Sequence, residues 1–118
     1  MSKFFKSFRY AFNGIFYTIK TQNNAKVHLF IGSLVICLSL YLKIALWEWE
    51  ILSLVIGLVL AMEIMNTAIE SLADALSTKQ NTKIGIAKDC AAGAVLVTAI
   101  AAISIGLLIF IPKLFALL

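Results

Sequence analysis

The chain has 118 residues, 62% of them hydrophobic and 14% charged, with ten Lys and Arg against six Asp and Glu. A soluble domain is about 45–50% apolar with about a quarter of its residues charged, and a chain this short cannot bury so much apolar surface in a water-bathed core. Lipid is therefore the expected solvent, soluble enzymes and nucleic-acid binders are set aside, and the net charge of +4 becomes a topology signal.

In chain order, Phe4, Phe8, Phe12, Ile15 and Ile19 recur at helical spacing, with Lys6, Arg9, Asn13 and Lys20 on a separate face. This pattern predicts a basic amphipathic helix over 2–21, lying in the membrane interface on aromatic anchors. A plain basic tail is the other reading. An apolar run follows over about 29–47, broken by Lys43, which sits near its end and can snorkel to the interface. A second begins near Ile51, stays free of charge to Met62, and continues through Glu63, Asn66 and Glu70, giving a helix over 51–74. The third runs 22 residues without a charge from Cys90 to Ile111 and stops at Pro112-Lys113, giving a helix over 88–111. About 20 apolar residues cross a bilayer as a helix. The expected fold is all-α and membrane-embedded, one domain over 1–118 with a surface helix and three spans. Linkers fall at Gln22–Asn24, Lys43–Glu50 and Ser77–Gly85.

Lys3, Lys6, Arg9, Lys20 and Lys26 precede the first span, and Lys79, Lys83 and Lys88 lie between the second and third. Lys43 and Lys113 fall on the opposite side. Eight against two predicts a cytoplasmic N-terminus and an external C-terminus. Trp47 and Trp49 mark the far interface. Cys37 and Cys90 read as packing residues, and the sole histidine, His28, as an interfacial residue. One histidine weighs against both His-based zinc chemistry and a Ser-His-Asp triad.

Glu63, Asn66, Glu70 and Asp74 are spaced 3, 4 and 4, which puts them on one stripe of the second helix. A carboxylate inside a membrane helix is expensive unless paired, hydrated or functional. Such a stripe could be interhelical glue, or a cytoplasmic extension if the span ended near Glu63. It could also be a site. Aligned carboxylates near the cytosol suit Mg²⁺, which takes oxygen ligands, and Mg²⁺ can hold nucleotide phosphates while a spare carboxylate deprotonates a hydroxyl. No P-loop sequence is present in the chain. Physics reaches an intramembrane carboxylate site facing the cytosol and does not choose its reaction.

The segment Glu63-Ile-Met-Asn-Thr-Ala-Ile-Glu70 followed by Asp74 resembles the signature of the prokaryotic diacylglycerol kinase family, which includes the undecaprenol kinases. Ala87-Lys-Asp-Cys-Ala-Ala-Gly-Ala-Val95 resembles its second block. Ser7-Phe-Arg-Tyr-Ala-Phe-Asn-Gly14 and Ile111-Pro-Lys113 are similar to the undecaprenol kinase branch. The resemblance covers nearly the whole chain. It implies a homotrimer in the bacterial cytoplasmic membrane, with sites shared between subunits, that passes the γ-phosphoryl of MgATP to a lipid alcohol. It further implies that Glu63 is the general base, that Glu70 holds the metal–nucleotide complex with Asn66 beside it, and that Lys88, Asp89 and Tyr10 contact the nucleotide. Asp74 closes the motif. Where many members carry a second metal-binding glutamate, this chain has Gln22, a neutral and weaker ligand. Undecaprenol is favoured as acceptor, then diacylglycerol.

Ala94, Thr98, Ala102 and Gly106 recur every four residues, so small side chains line one side of the third helix. They can pack within a subunit or between subunits. Three thin helices hardly enclose two substrates, so an oligomer is expected. The rival function is a small ion- or drug-coupled transporter using intramembrane Glu63, and a third is a non-enzymatic assembly or lysis protein.

Overall fold

Three interruptions divide the chain into helices, and each has a local cause. The computed structural model describes residues 2–76 and 81–118, which form α1 (Ser2–Thr21), α2 (Asn23–Leu42), α3 (Leu46–Leu76) and α4 (Thr82–Leu117). Lys79 and the first part of the expected linker over Ser77–Gly85 lie outside the described residues; its last four residues, 82–85, are instead the first turn of α4, which starts six residues before the expected Lys88 because Asn81 caps it there.

The first break is a single residue. Gln22 is extended (φ −105°, ψ 118°), yet its N–H still bonds to Thr18 O at 2.9 Å and its carbonyl accepts from Lys26 N at 3.3 Å. Helix α2 therefore begins at Asn23, six residues before the expected Leu29, because polar residues extend the helix past its apolar run. At the other end, α2 stops at Leu42 rather than Trp47. Lys43 takes a left-handed conformation (φ 51°, ψ 57°), and the carbonyl of Ser39 accepts the N–H groups of both Lys43 and Ile44. The expected linker over Lys43–Glu50 shrinks to three residues, Lys43 to Ala45, because Glu48 starts α3 early. Its Oε1 accepts the Ala45 N–H at 2.8 Å, the returning half of a capping box. The third start is ordinary: Asn81 Oδ1 accepts from the N–H groups of Lys83 (2.9 Å) and Ile84 (3.3 Å).

Pro112 does not end α4, which continues to Leu117. Proline removes one backbone donor and crowds the preceding turn, but membrane helices tolerate it where neighbours hold the segment. Here Lys113 Nζ sits 2.9 Å from Glu48 Oε1, tying the turn after the proline to the start of α3.

Among the described residues three helices, α2, α3 and α4, are long and apolar enough to cross a membrane. Within them the hydroxyls of Ser33, Ser39, Thr67 and Ser104 each donate to the carbonyl four residues back. That satisfies them without water. At 31 and 36 residues, α3 and α4 reach about 46 and 54 Å by the standard rise, so they stand out beyond a hydrocarbon core of about 30 Å. Helix α3 runs through Glu63 without a break.

The dominant packing is α3 on α4, with α2 laid more sparsely on α3 and α1 touching both α2 and α3. Leu52, Val55, Val59, Glu63 and Asn66 form a buried row along α3, with Glu48, Thr67 and Ala73 buried besides. Their spacing of 3, 4, 4 and 3 is that of a helix–helix seam, and the two polar residues simply continue it. The seam closes at the far end in a cluster of Ile44, Leu52, Ile109 and Phe110, with Trp49 packed against it. On α4, Ala91 and Val95 are buried while Ala94 is exposed, and a side chain added at Gly106 would meet open space. The small-residue stripe thus packs against its own chain only in part.

Candidate functional site

The α3 seam carries Glu63 and Asn66 into the protein interior, and the same face emerges half-buried at Glu70 and exposed at Asp74. Regular helix geometry separates Glu63 from Glu70 by about 10 Å along the axis. Glu63 is 1% exposed and Asn66 8%. Two buried oxygens on this stripe, Glu63 Oε1 and Asn66 Oδ1, have no hydrogen-bond partner. Buried polar atoms are nearly always satisfied, so an unpartnered pair needs a reason. Asn66 uses its other end: Nδ2 donates to Glu70 Oε1 at 3.4 Å, which turns Oδ1 away from that contact. The Thr67 hydroxyl bonds to the Glu63 carbonyl at 2.9 Å.

Two side chains from other helices reach the stripe. Lys88 of α4 donates to Asp74 Oδ1 at 2.8 Å, and the Glu70 charge also acts on its ammonium. From α2, His28 places Nε2 3.2 Å from Glu63 Oε1, inside ion-pair range but outside hydrogen-bond geometry. Helix α2 turns His28 inward onto the buried carboxylate, a contact that the reading of it as an interfacial residue did not include. Its side chain stays 23% exposed. Nothing in the sequence signalled this beyond its being the sole histidine, next to an apolar run.

The remaining expected site residues are more open. Gln22 is half-buried at the α1–α2 break and its side chain makes no hydrogen bond among the described residues. Asp89 is exposed at the start of α4, and Tyr10 is 68% exposed on α1. The fold of one chain thus brings together Glu63, Asn66, Glu70, Asp74, Lys88 and His28. It leaves Gln22, Asp89 and Tyr10 without a side-chain hydrogen bond to that group.

The donor set is one of oxygens. Among the described residues no group of three His, Cys, Asp or Glu side chains gathers as a metal cage. The Glu70 carboxylate is the kind of oxygen donor Mg²⁺ takes, an ion held by one or two carboxylates together with phosphates and water rather than by a full protein cage; Asn66 turns its Nδ2, not Oδ1, toward that carboxylate.

Comparison with known proteins identifies the class. The model of the prokaryotic diacylglycerol kinase family matches residues 9–110. The chain is 40% identical over 114 residues to an undecaprenol kinase of Bacillus subtilis, an alignment covering 97% of this chain and 93% of the relative. It is 41% identical over 113 residues to a diacylglycerol kinase of Synechocystis sp., covering 95% of this chain but 65% of that longer relative. The protein is a lipid kinase. It belongs to the prokaryotic diacylglycerol kinase family, and that membership favours neither the coupled transporter nor the non-enzymatic readings.

Proposed function

We propose that the protein transfers the γ-phosphoryl group of MgATP to the hydroxyl of a membrane lipid alcohol at the cytoplasmic interface, with undecaprenol as the preferred acceptor and diacylglycerol the next. The observation that carries the reading is the α3 stripe, with buried Glu63 about two turns below Glu70 and Asn66 bonded to Glu70 between them. Such an arrangement suits a lipid hydroxyl at depth and a nucleotide nearer water. Undecaprenol is favoured because Ser7–Gly14 and Ile111–Lys113 are similar to the undecaprenol kinase branch.

In this reading Glu63 accepts the hydroxyl proton as the lipid oxygen attacks the γ-phosphorus. Glu70 holds magnesium, with Gln22 as a neutral second oxygen and Asn66 Nδ2 steadying the Glu70 carboxylate. Bound Mg²⁺ supplies charge neutralisation to the phosphates. Lys88, positioned by Asp74, faces the phosphates, and Asp89 and Tyr10 contact the nucleotide.

Assembly and orientation belong to the same proposal. Only 11% of the apolar stretch of α2 and 17% of that of α4 are buried within one chain. Leu54, Leu96 and Leu108 lie 61–76% exposed. Lipid and neighbouring subunits cover such faces, and a homotrimer would bring Tyr10, Gln22 and Asp89 of one subunit to the stripe of the next. Helix α1 lies on the cytoplasmic surface of the bacterial inner membrane, with the C-terminus outside, a reading that the lysine bias supports.

Incubating purified protein in mixed micelles with labelled ATP and each lipid alcohol separately tests the reading. Label is expected in both lipids, with the higher kcat/KM for undecaprenol. No lipid-dependent ATP turnover with either alcohol would overturn it.

A further inference from the structure

We infer that His28 is the positioning residue for Glu63 and the outlet through which that carboxyl returns its proton to water. The inference rests on the general-base reading of Glu63.

A base that is 1% exposed has a difficulty that an exposed base does not. Each turnover leaves one proton on the Glu63 carboxyl, and a buried acid without a partner cannot pass it on. Among the described residues, His28 is the sole titratable side chain within ion-pair range of Glu63, and its ring is 23% exposed while the Glu63 side chain is 2% exposed. One end of the pair is sealed and the other reaches solvent. The other charged groups near this end are engaged elsewhere or further along: Lys88 of α4 is held by Asp74, Glu70 by Asn66, and no ion pair joins Lys20 of α1 or Lys26 of α2 to either partner. Glu48 and Lys113 pair at the opposite end of the bundle.

The step balances simply. The lipid O–H proton passes to Glu63 as the new O–P bond forms and the bond to the ADP oxygen breaks. Glu63 O–H then gives the proton to the lone pair of His28 Nε2. The imidazolium releases a proton to water and the pair is reset. Between turnovers the ring stands 3.2 Å from Glu63 Oε1 at the α2–α3 seam, against an oxygen that has no hydrogen-bond partner.

The test compares His28→Gln, His28→Ala and Glu63→Gln in detergent-solubilised, size-checked protein. For both His28 variants kcat should fall on the order of tenfold or more with KM for MgATP unchanged. The pH profile of kcat should differ from wild type in both, because Glu63 has lost its proton acceptor. Added imidazole should restore His28→Ala in proportion to its free-base form, which a merely space-filling role does not predict. Wild-type kcat and pH profile in His28→Gln, or restoration that ignores the protonation state of imidazole, would overturn the inference while leaving the Glu63 reading intact if Glu63→Gln is inactive. An active Glu63→Gln would remove the general-base reading itself.

Discussion

Lys88 Nζ lies 2.8 Å from Asp74 Oδ1, so a residue seven before the α4 seam's Val95 is tied back to the last turns of α3. The two side chains are 38% and 69% exposed. An open pair of this kind adds little to stability, so its use is positional, keeping an ammonium beside Glu70 at the mouth of the stripe. Asp74→Asn should therefore raise KM for MgATP on the order of fivefold, as for one modest contact, with kcat and unfolding temperature nearly unchanged. Lys88→Met should raise it further. Steady-state kinetics with varied MgATP decide this, and an unaltered KM in both variants would take Lys88 out of the nucleotide site.

Glu63→Gln preserves shape at a position with no room for rearrangement. It should leave oligomer size and MgATP binding intact while lowering the rate of lipid phosphorylation by about 10²–10⁴-fold, the usual worth of acid–base assistance. Equilibrium nucleotide binding measured beside single-turnover lipid phosphorylation separates the two effects. Near-normal turnover at saturating substrates would leave Glu63 a structural residue.

Glu70 and Gln22 make a paired prediction. If Glu70 carries the charge of the metal site, Glu70→Gln should weaken Mg²⁺-dependent nucleotide binding, unlike Glu63→Gln. If Gln22 is a neutral oxygen ligand, Gln22→Glu should lower the Mg²⁺ concentration needed for half-maximal rate. A titration of rate against free Mg²⁺ checks both, and an unmoved midpoint in Gln22→Glu would mean that this side chain never reaches the ion.

Apolar runs and the 3, 4, 4 spacing made three long helices and the polar stripe legible in the sequence, because burial in lipid and helical periodicity are both written in composition. The helix ends were not legible in the same way. They depend on a left-handed Lys43, on a glutamate reaching back to Ala45, and on an ion pair that carries α4 through Pro112. The His28–Glu63 contact was hidden for a different reason. Helix α2 is apolar over most of its surface, so its sequence carries no mark of which side meets α3, and only packing decides that His28 turns inward. The roles of Tyr10 and Asp89 came from motif resemblance, and a single chain leaves both exposed.

Glu48 offers a stability prediction independent of the active site. One carboxylate oxygen, on a side chain 6% exposed, takes both the Ala45 N–H at 2.8 Å and the Lys113 ammonium at 2.9 Å. It therefore starts α3 and anchors the end of α4 with the same atom, beside the cluster of Ile44, Leu52, Ile109 and Phe110. Glu48→Ala removes a cap and an ion pair together, whereas exposed Glu50 forms neither. Thermal unfolding in detergent should show Glu48→Ala clearly less stable than Glu50→Ala. Lys113→Met should fall between them, because it leaves the cap to Ala45 in place. The double variant should be less destabilised than the sum of the two single changes, the mark of a shared contact. Lipid phosphorylation measured well below the unfolding temperature should stay near wild type in all of these variants, since the pair lies at the opposite end of the bundle from Glu63. Equal unfolding temperatures for Glu48→Ala and Glu50→Ala would show that the clamp contributes nothing and that the apolar cluster alone holds the far end.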